Sequence, residues 1–241
     1  MIHIVDRYNR AAYAALLMEM HRYRHDIYIK KREWAALRSY DGMEIDEYDG
    51  QNATYLVATD EAGKFQGAVR LISTAHHSMM KDHFAHIVFD VDTIPSSECV
   101  MEGSRIMVTD WTADDNGHSV LQRLSIGMVE YALSQGAVGI STLTERSIVD
   151  MMDMLEWGYV PLSPMVTYSN SDDDVAGSGE CMAQYIPICQ TMFKHIDRNT
   201  KIGESNFVIG DEWAKANLSP SDFLAEQYEI PAGGDEQALA S

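Results

Sequence analysis

Basic residues are scarce in this chain of 241 residues: 18 Lys and Arg stand against 37 Asp and Glu, a net charge of −19. Neutralising phosphates needs a basic face, so a nucleic-acid partner is excluded. Cysteine is nearly absent too. Cys99, Cys181 and Cys189 form no CxxC and leave an odd one over, which excludes a disulfide framework and fits a reduced cytoplasm. No apolar run is long enough to span a bilayer, and no charged-then-apolar signal segment is expected at the start. Metal-ligand spacing is lacking as well: His76, His77, His83 and His86 match no standard zinc set, so no metal is expected. There is no internal repeat. What is present is a hydrophobic fraction of 46%, enough to bury a sizeable core.

The pattern alternates between strands and helices. Ile2-His3-Ile4-Val5 reads as a first strand, and Asn9 as the cap of a helix to about His25, with Leu16, Leu17 and Met20 on one face. Tyr28 to Asn52 reads as a long acidic connection, of a length that is usually functional or disordered. Thr54–Thr59 and Phe65–Ile72 read as a hairpin turned by Asp60-Glu61-Ala62-Gly63. Further strands are expected at 100–109, 138–143, near 159–168 and at 181–188, with helices at 118–135 and 146–157. Residues 170–179 and those after Pro231 read as flexible.

Three clusters carry candidate chemistry. Arg24 and Tyr28 lie one helical turn apart, followed by Trp34. Glu44, Asp46 and Asp49 precede the hairpin, whose second strand carries Arg70. Glu102-Gly103-Ser104-Arg105 ends a strand-like run; alternation puts Glu102 and Ser104 on one face and Arg105 on the other. Each has a plainer reading: a lone Trp is commonly a core anchor, and an acidic run a solvated face. Together they suggest bidentate carboxylate–guanidinium pairs holding the long connection against the sheet.

The order and spacing of these residues closely resemble the acyl-homoserine-lactone synthases, the LuxI-type autoinducer synthases of quorum sensing, over about residues 1–195. The resemblance implies an α/β fold, a GNAT-like three-layer α-β-α sandwich with a mixed sheet. Residues 1–200 would form the synthase domain and 201–241 a partly flexible extension. It implies an acyltransferase that takes S-adenosylmethionine as a substrate, needs no cofactor and releases methylthioadenosine. Arg24, Tyr28 and Trp34 would line the S-adenosylmethionine pocket, with Asp46, Asp49 and Arg70 as network and substrate contacts. Glu102 would be the base, Arg105 would pair with or orient its carboxylate, and Ser104 stands between them in the motif. Phe84 matches an aromatic kept by the family, and Thr142 and Thr144 would line the acyl pocket. The donor would be acyl carrier protein or acyl-CoA, the carrier protein first by a narrow margin. Arg22, Arg24, Lys30, Lys31 and Arg32, or Lys194, Arg198 and Lys201, would meet it. Asp114-Asp115-Asn116-Gly117-His118 stands where an acetyl-CoA enzyme has a Gly-rich pyrophosphate loop, which disfavours a plain acetyltransferase. An N-acyltransferase on another amine, or a non-catalytic binding domain of this fold, stays open. No membrane contact is implied.

Overall fold

The computed structural model describes residues 1–34, 36–168, 178–203, 205 and 207–209. In chain order the elements are β1 (Ile2–Val5), α1 (Ala14–Arg24), β2 (Ser39–Tyr40), β3 (Met43–Glu44), β4 (Thr54–Thr59), β5 (Phe65–Ser73) and α2 (Met79–His83). There follow β6 (Val100–Val108), α3 (Val120–Ser134), β7 (Gly139–Glu145), α4 (Arg146–Met154), β8 (Val160–Pro161), β9 (Val166–Tyr168), β10 (Gly179–Pro187), α5 (Gln190–Thr200) and β11 (Phe207–Ile209). The main sheet runs β11-β1-β4-β5-β6-β7-β10-β8, with β9 also on β10. Among the described strands, only β11 with β1 and β6 with β7 are parallel. Of the segments expected to be flexible, 170–177 and all that follows Pro231 lie outside the described residues, while Gly179 opens β10. Part of the expected extension, Phe207–Ile209, pairs with Ile2–Ile4 at the sheet edge.

Strand alternation divides the core in two. Leu56, Ala58, Val69 and Leu71 face Leu124, Val129, Met152 and Ile196 from α3, α4 and α5. Tyr55, Val57, Ala68 and Ile72 face Leu16, Leu17 and Met20 of α1 and Met79 of α2. Helices on both faces of a mixed sheet give the three-layer α-β-α sandwich that the resemblance implied. The Thr54 to Ser73 hairpin is as expected.

The N-terminal third departs from the sequence reading in several places. Asn9 makes no capping bond. Its side chain accepts from the Asp6 N–H and donates to the Ile4 carbonyl, closing the turn after β1 instead. The first helix does not stop at His25 but widens into a π-helical turn over His25–Lys31, a form that recurs at functional sites. The long connection is also more ordered than its composition suggested. Asp41 and Gly42, at φ of 49° and 73°, turn β2 into β3, the geometry of a tight Asp-Gly hairpin.

The feature that positions the site is a split in the sheet. β6 and β7 pair only over Val100–Gly103 and Gly139–Thr142. Beyond that point β6 follows β5 and β7 follows β10, and a cleft opens between them. At the split, Arg70 pairs with Ser104 but Ala68 with Met107, so β6 carries one extra residue. Arg105 takes it up at φ 54°, a left-handed conformation uncommon for a residue with a side chain.

Candidate active site

The bulge corrects one expectation. Alternation would send Arg105 to the α3 face, but the extra residue turns its guanidinium to the α1 side, beside Ser104. There it does not meet Glu102. Its Nη2 donates to Glu44 Oε1 and Asp46 Oδ2, both at 2.9 Å. Arg24, fully buried at the end of α1, donates through Nη1 and Nη2 to both oxygens of Asp49 at 2.7 and 2.9 Å. Its Nε reaches Glu44 at 2.5 Å. Arg70 Nη1 bridges Asp46 and Asp49, and its Nε donates to Ser104 Oγ at 3.1 Å.

Three guanidiniums thus face three carboxylates in a buried, charge-balanced network. Local structure presents the acids. Asp46 and Asp49 form a reciprocal capping box around the short turn Glu47–Asp49. Arg10 donates to the carbonyls of Asp49, Gly50 and Ala53 and pins that turn from below. Burial by itself raises the pKa of Asp49, but Arg24 and Arg70 outweigh it and hold the carboxyl well below the usual range. Glu44 is likewise lowered, with Arg24 and Arg105 overcoming burial. Buried ion pairs are a costly way to gain stability, and their clustering marks a site held in one geometry.

The cleft encloses a cavity of about 340 Å³. Of the expected residues, Tyr28, Trp34, Ser104, Arg105, Thr142 and Thr144 line it. Arg24, Asp46, Asp49, Arg70, Glu102 and Phe84 do not line it; the charged network sits behind the wall that Ser104 and Arg105 form. One wall is a ladder of cations and rings. The Arg105 guanidinium lies 5.5 Å from the Tyr28 ring centre, Tyr28 stacks on Trp34 at 5.1 Å and 12°, and Arg32 lies 5.5 Å from Trp34. The Tyr28 hydroxyl donates to the Ile106 carbonyl at 3.4 Å. The Trp34 indole N–H is buried and has no partner among the described residues. Arg32 then grips Glu145 at the end of β7 with both terminal nitrogens, Nη2 at 2.9 Å, and fastens the helical turn across the mouth.

Glu102 is 2% exposed. Its carboxylate accepts from Ser78 Oγ at 2.5 Å and from the Met79 and Met80 N–H groups at 2.9 and 3.2 Å, holding the first turn of α2. Burial pushes its pKa up. Phe84, half-buried, packs under α1 and α2 with His83 at its edge. His83 itself bonds Glu47. The sequence reading missed Glu145 and Trp157 on the cavity lining, and Tyr168, whose hydroxyl donates to Glu145 at 2.8 Å. A charged residue closing a buried strand was the one available signal for Glu145; the other two carry none.

A sandwich whose sheet splits around a cavity of about 340 Å³, backed by fixed charges, defines an α/β protein with a built pocket. Residues 8–163 match the autoinducer synthase family, and the chain belongs to that family. It is 34% identical over 145 residues to the isovaleryl-homoserine lactone synthase of Bradyrhizobium diazoefficiens, covering 60% of this chain and 64% of that one. To an acyl-homoserine-lactone synthase of Aliivibrio fischeri it is 31% identical over 127 residues, 52% and 65% of the two chains. The matches thus span slightly under two thirds of each of these relatives. Among solved structures, the CoA-dependent acyl-homoserine lactone synthase MesI superposes with a TM-score of 0.71 at 27% identity, covering 86% of this chain and 99% of that one. BjaI, a CoA-dependent synthase solved with SAM and isopentyl-CoA, gives 0.73 at 26% identity over 90% and 97%.

Proposed function

We propose that this chain is an acyl-homoserine-lactone synthase that joins S-adenosylmethionine to an acyl group delivered by coenzyme A. The observation that carries this is the cavity wall of Arg105, Tyr28, Trp34 and Arg32, with an unfilled indole donor on Trp34 and the carboxylate network behind it. S-adenosylmethionine brings a sulfonium cation and an adenine, which favour aromatic surroundings, and acceptor nitrogens that an indole N–H can meet. In the reaction the methionyl ammonium loses a proton and its nitrogen attacks the thioester carbonyl. The C–N bond forms, the C–S bond breaks and the thiol leaves. The methionyl carboxylate then attacks its own γ-carbon, the carbon–sulfonium bond breaks onto sulfur, and lactone and methylthioadenosine separate. S-adenosylmethionine is consumed, so it is a substrate.

Glu102, the base implied by the resemblance, lies off the cavity wall with its carboxylate tied to α2. We assign it a positioning role, and the ammonium proton passes to water in the cavity. For the donor, CoA is favoured over the carrier protein expected first. MesI and BjaI are CoA-dependent synthases, and the basic cluster near the first helix is partly neutralised here. Lys30 pairs with Asp26, Arg24 with Glu44 and Asp49, and Arg32 with Glu145; of the exposed Arg22 and Lys31 that remain, Lys31 alone lines the cavity, enough for a phosphate but little for an acidic protein. No helix among the described residues is long and apolar enough to cross a membrane, and we place the enzyme in the cytoplasm, where its free cysteines stay reduced. Purified protein given S-adenosylmethionine and a panel of acyl-CoA donors should release methylthioadenosine and lactone. No methylthioadenosine across the panel, or its release with acyl carrier protein donors alone, would overturn the respective half of this reading.

A further inference from the structure

Two more buried polar groups have no partner among the described residues: the indole N–H of Trp157, on the cavity wall, and Oε1 of Gln184, which stands behind the lining residues Thr144 and Met152. Neither is a surface accident, since Trp157 is 5% exposed and Gln184 0%. Groups this deeply buried are nearly always hydrogen-bonded, and each exception asks for a reason. Trp157 lines the cavity. Gln184 stands on β10 directly opposite Thr142, so it shares the face of Thr142 and Thr144, and its neighbour on that face, Ile186, also lines the cavity.

The amide of Gln184 is oriented by its surroundings. Its Nε2 donates to Thr144 Oγ1 at 3.0 Å and lies 3.2 Å from Met152 Sδ; the Thr144 hydroxyl in turn donates to Thr142 Oγ1 at 3.2 Å. That chain occupies the NH₂ and leaves the carbonyl oxygen open. The rest of this end is apolar, with Met128, Ile148 and Met151 on the walls. A plain hydrocarbon chain lying there would leave one acceptor and one donor unmet.

We propose that the inner end of the cavity is a subsite for a hydroxyl group carried by the acyl chain, which donates to Gln184 Oε1 and accepts from Trp157 Nε1. A hydroxyl alone fills both roles. A keto oxygen only accepts and satisfies Trp157; a methylene satisfies neither. The expected order of donors is therefore hydroxyacyl, then oxoacyl, then plain acyl. This rests on the synthase reading above and names the substrate class of that same cavity.

The test uses the full chain, S-adenosylmethionine and matched butyryl- and hexanoyl-CoA sets, each plain, oxo-substituted and hydroxylated at successive carbons, with kcat/KM read from methylthioadenosine release. At one position the hydroxylated donor should exceed its plain counterpart by about tenfold or more, because a site with buried hydrogen-bonding groups rejects the analogue that leaves them unpaired. Gln184→Leu and Trp157→Phe should each bring that ratio toward one, chiefly through KM. Trp157→Phe nearly conserves volume, so it decides the matter if Gln184→Leu does not fold. Plain donors matching or beating hydroxylated ones at every position would overturn the subsite while leaving the synthase intact, as would a ratio that persists in the folded variants. Silence with every donor would overturn the synthase reading and the subsite with it.

Discussion

Replacing Asp49 by Asn would unbalance the charged network at its centre while barely changing its shape. The Asp49 carboxylate accepts from Arg24 Nη1 and Nη2 at 2.7 and 2.9 Å, Arg70 Nη1 at 2.8 Å, the Tyr55 hydroxyl at 2.7 Å and the Asp46 N–H at 2.8 Å. An amide can keep its oxygen toward Arg24 Nη1, Arg70 and Tyr55. Its NH₂ then confronts Arg24 Nη2 and the Asp46 N–H, donor against donor. Three buried cations also remain with two anions. Breaking a buried pair from one side costs about 3–5 kcal/mol. That would lower a urea midpoint by roughly 1–2.5 M for a slope of about 2–3 kcal/mol/M. The effect has a defined pH signature. Asp49 titrates below its unfolded value, so its stabilisation is complete above the ordinary carboxylate pKa of about 3.9 and is lost as pH falls through the lower folded value. Urea unfolding followed by tryptophan fluorescence should therefore show a wide gap between wild type and variant at pH 7 that narrows in acid below about pH 4. A gap under about 1 kcal/mol at neutral pH, where an exposed ion pair would fall, or one unchanged down to pH 3, would refute the reasoning.

Glu102→Gln should leave the shape of the kcat pH profile intact. It should lower stability by about 1–3 kcal/mol, since an amide oxygen cannot serve every donor of Ser78, Met79 and Met80; a lost acidic limb in the profile would restore Glu102 as the base. Lys31→Glu should raise KM for acyl-CoA severalfold at low salt and leave that for S-adenosylmethionine unchanged, and equal shifts in both would count against a phosphate contact at Lys31. Gly67→Ala should cost about 1–3 kcal/mol in thermal melting, because the new Cβ would sit 2.6 Å from the Met107 carbonyl; a melt within a degree of wild type would mean that the strands part more easily than their packing implies.

The sequence disclosed the members of the network better than their arrangement. Arg24, Glu44, Asp46, Asp49, Arg70 and Arg105 could be picked out because buried pairing is the economical use of such a mixture beside apolar strands. The Thr54 to Ser73 hairpin was legible for a local reason: alternation on both sides of a Gly-containing turn. The direction of Arg105 was not, because Gly103-Ser104-Arg105-Ile106 contains no residue that announces a left-handed backbone at position 105. The Asp41-Gly42 turn did carry a signal, which the surrounding acidic composition masked. Arg32 with Glu145 bridges 113 positions, and no periodicity reports a contact of that range. The helix after β7 stops at Met154 rather than Trp157 because Glu156 takes φ 56°, again without a glycine to mark it. α5 was not anticipated at all, nor was β11, whose pairing with β1 joins the two ends of the described chain.

The single extra residue in β6 makes that strand two half-sentences written out of phase. Before it, even positions such as Glu102 and Ser104 belong to the α1 face; after it, odd positions such as Met107 do, and Val108 belongs to the other. Met107 and Val108 are both apolar, so the core would accept either phase at little loss. The guanidinium of Arg105 would not, for removing the slip would carry it through the sheet toward Met128 and away from Glu44 and Asp46. One deleted residue could thus spare the sandwich and abolish the site, and an enzyme transplanted onto another scaffold would have to bring the phase shift with it.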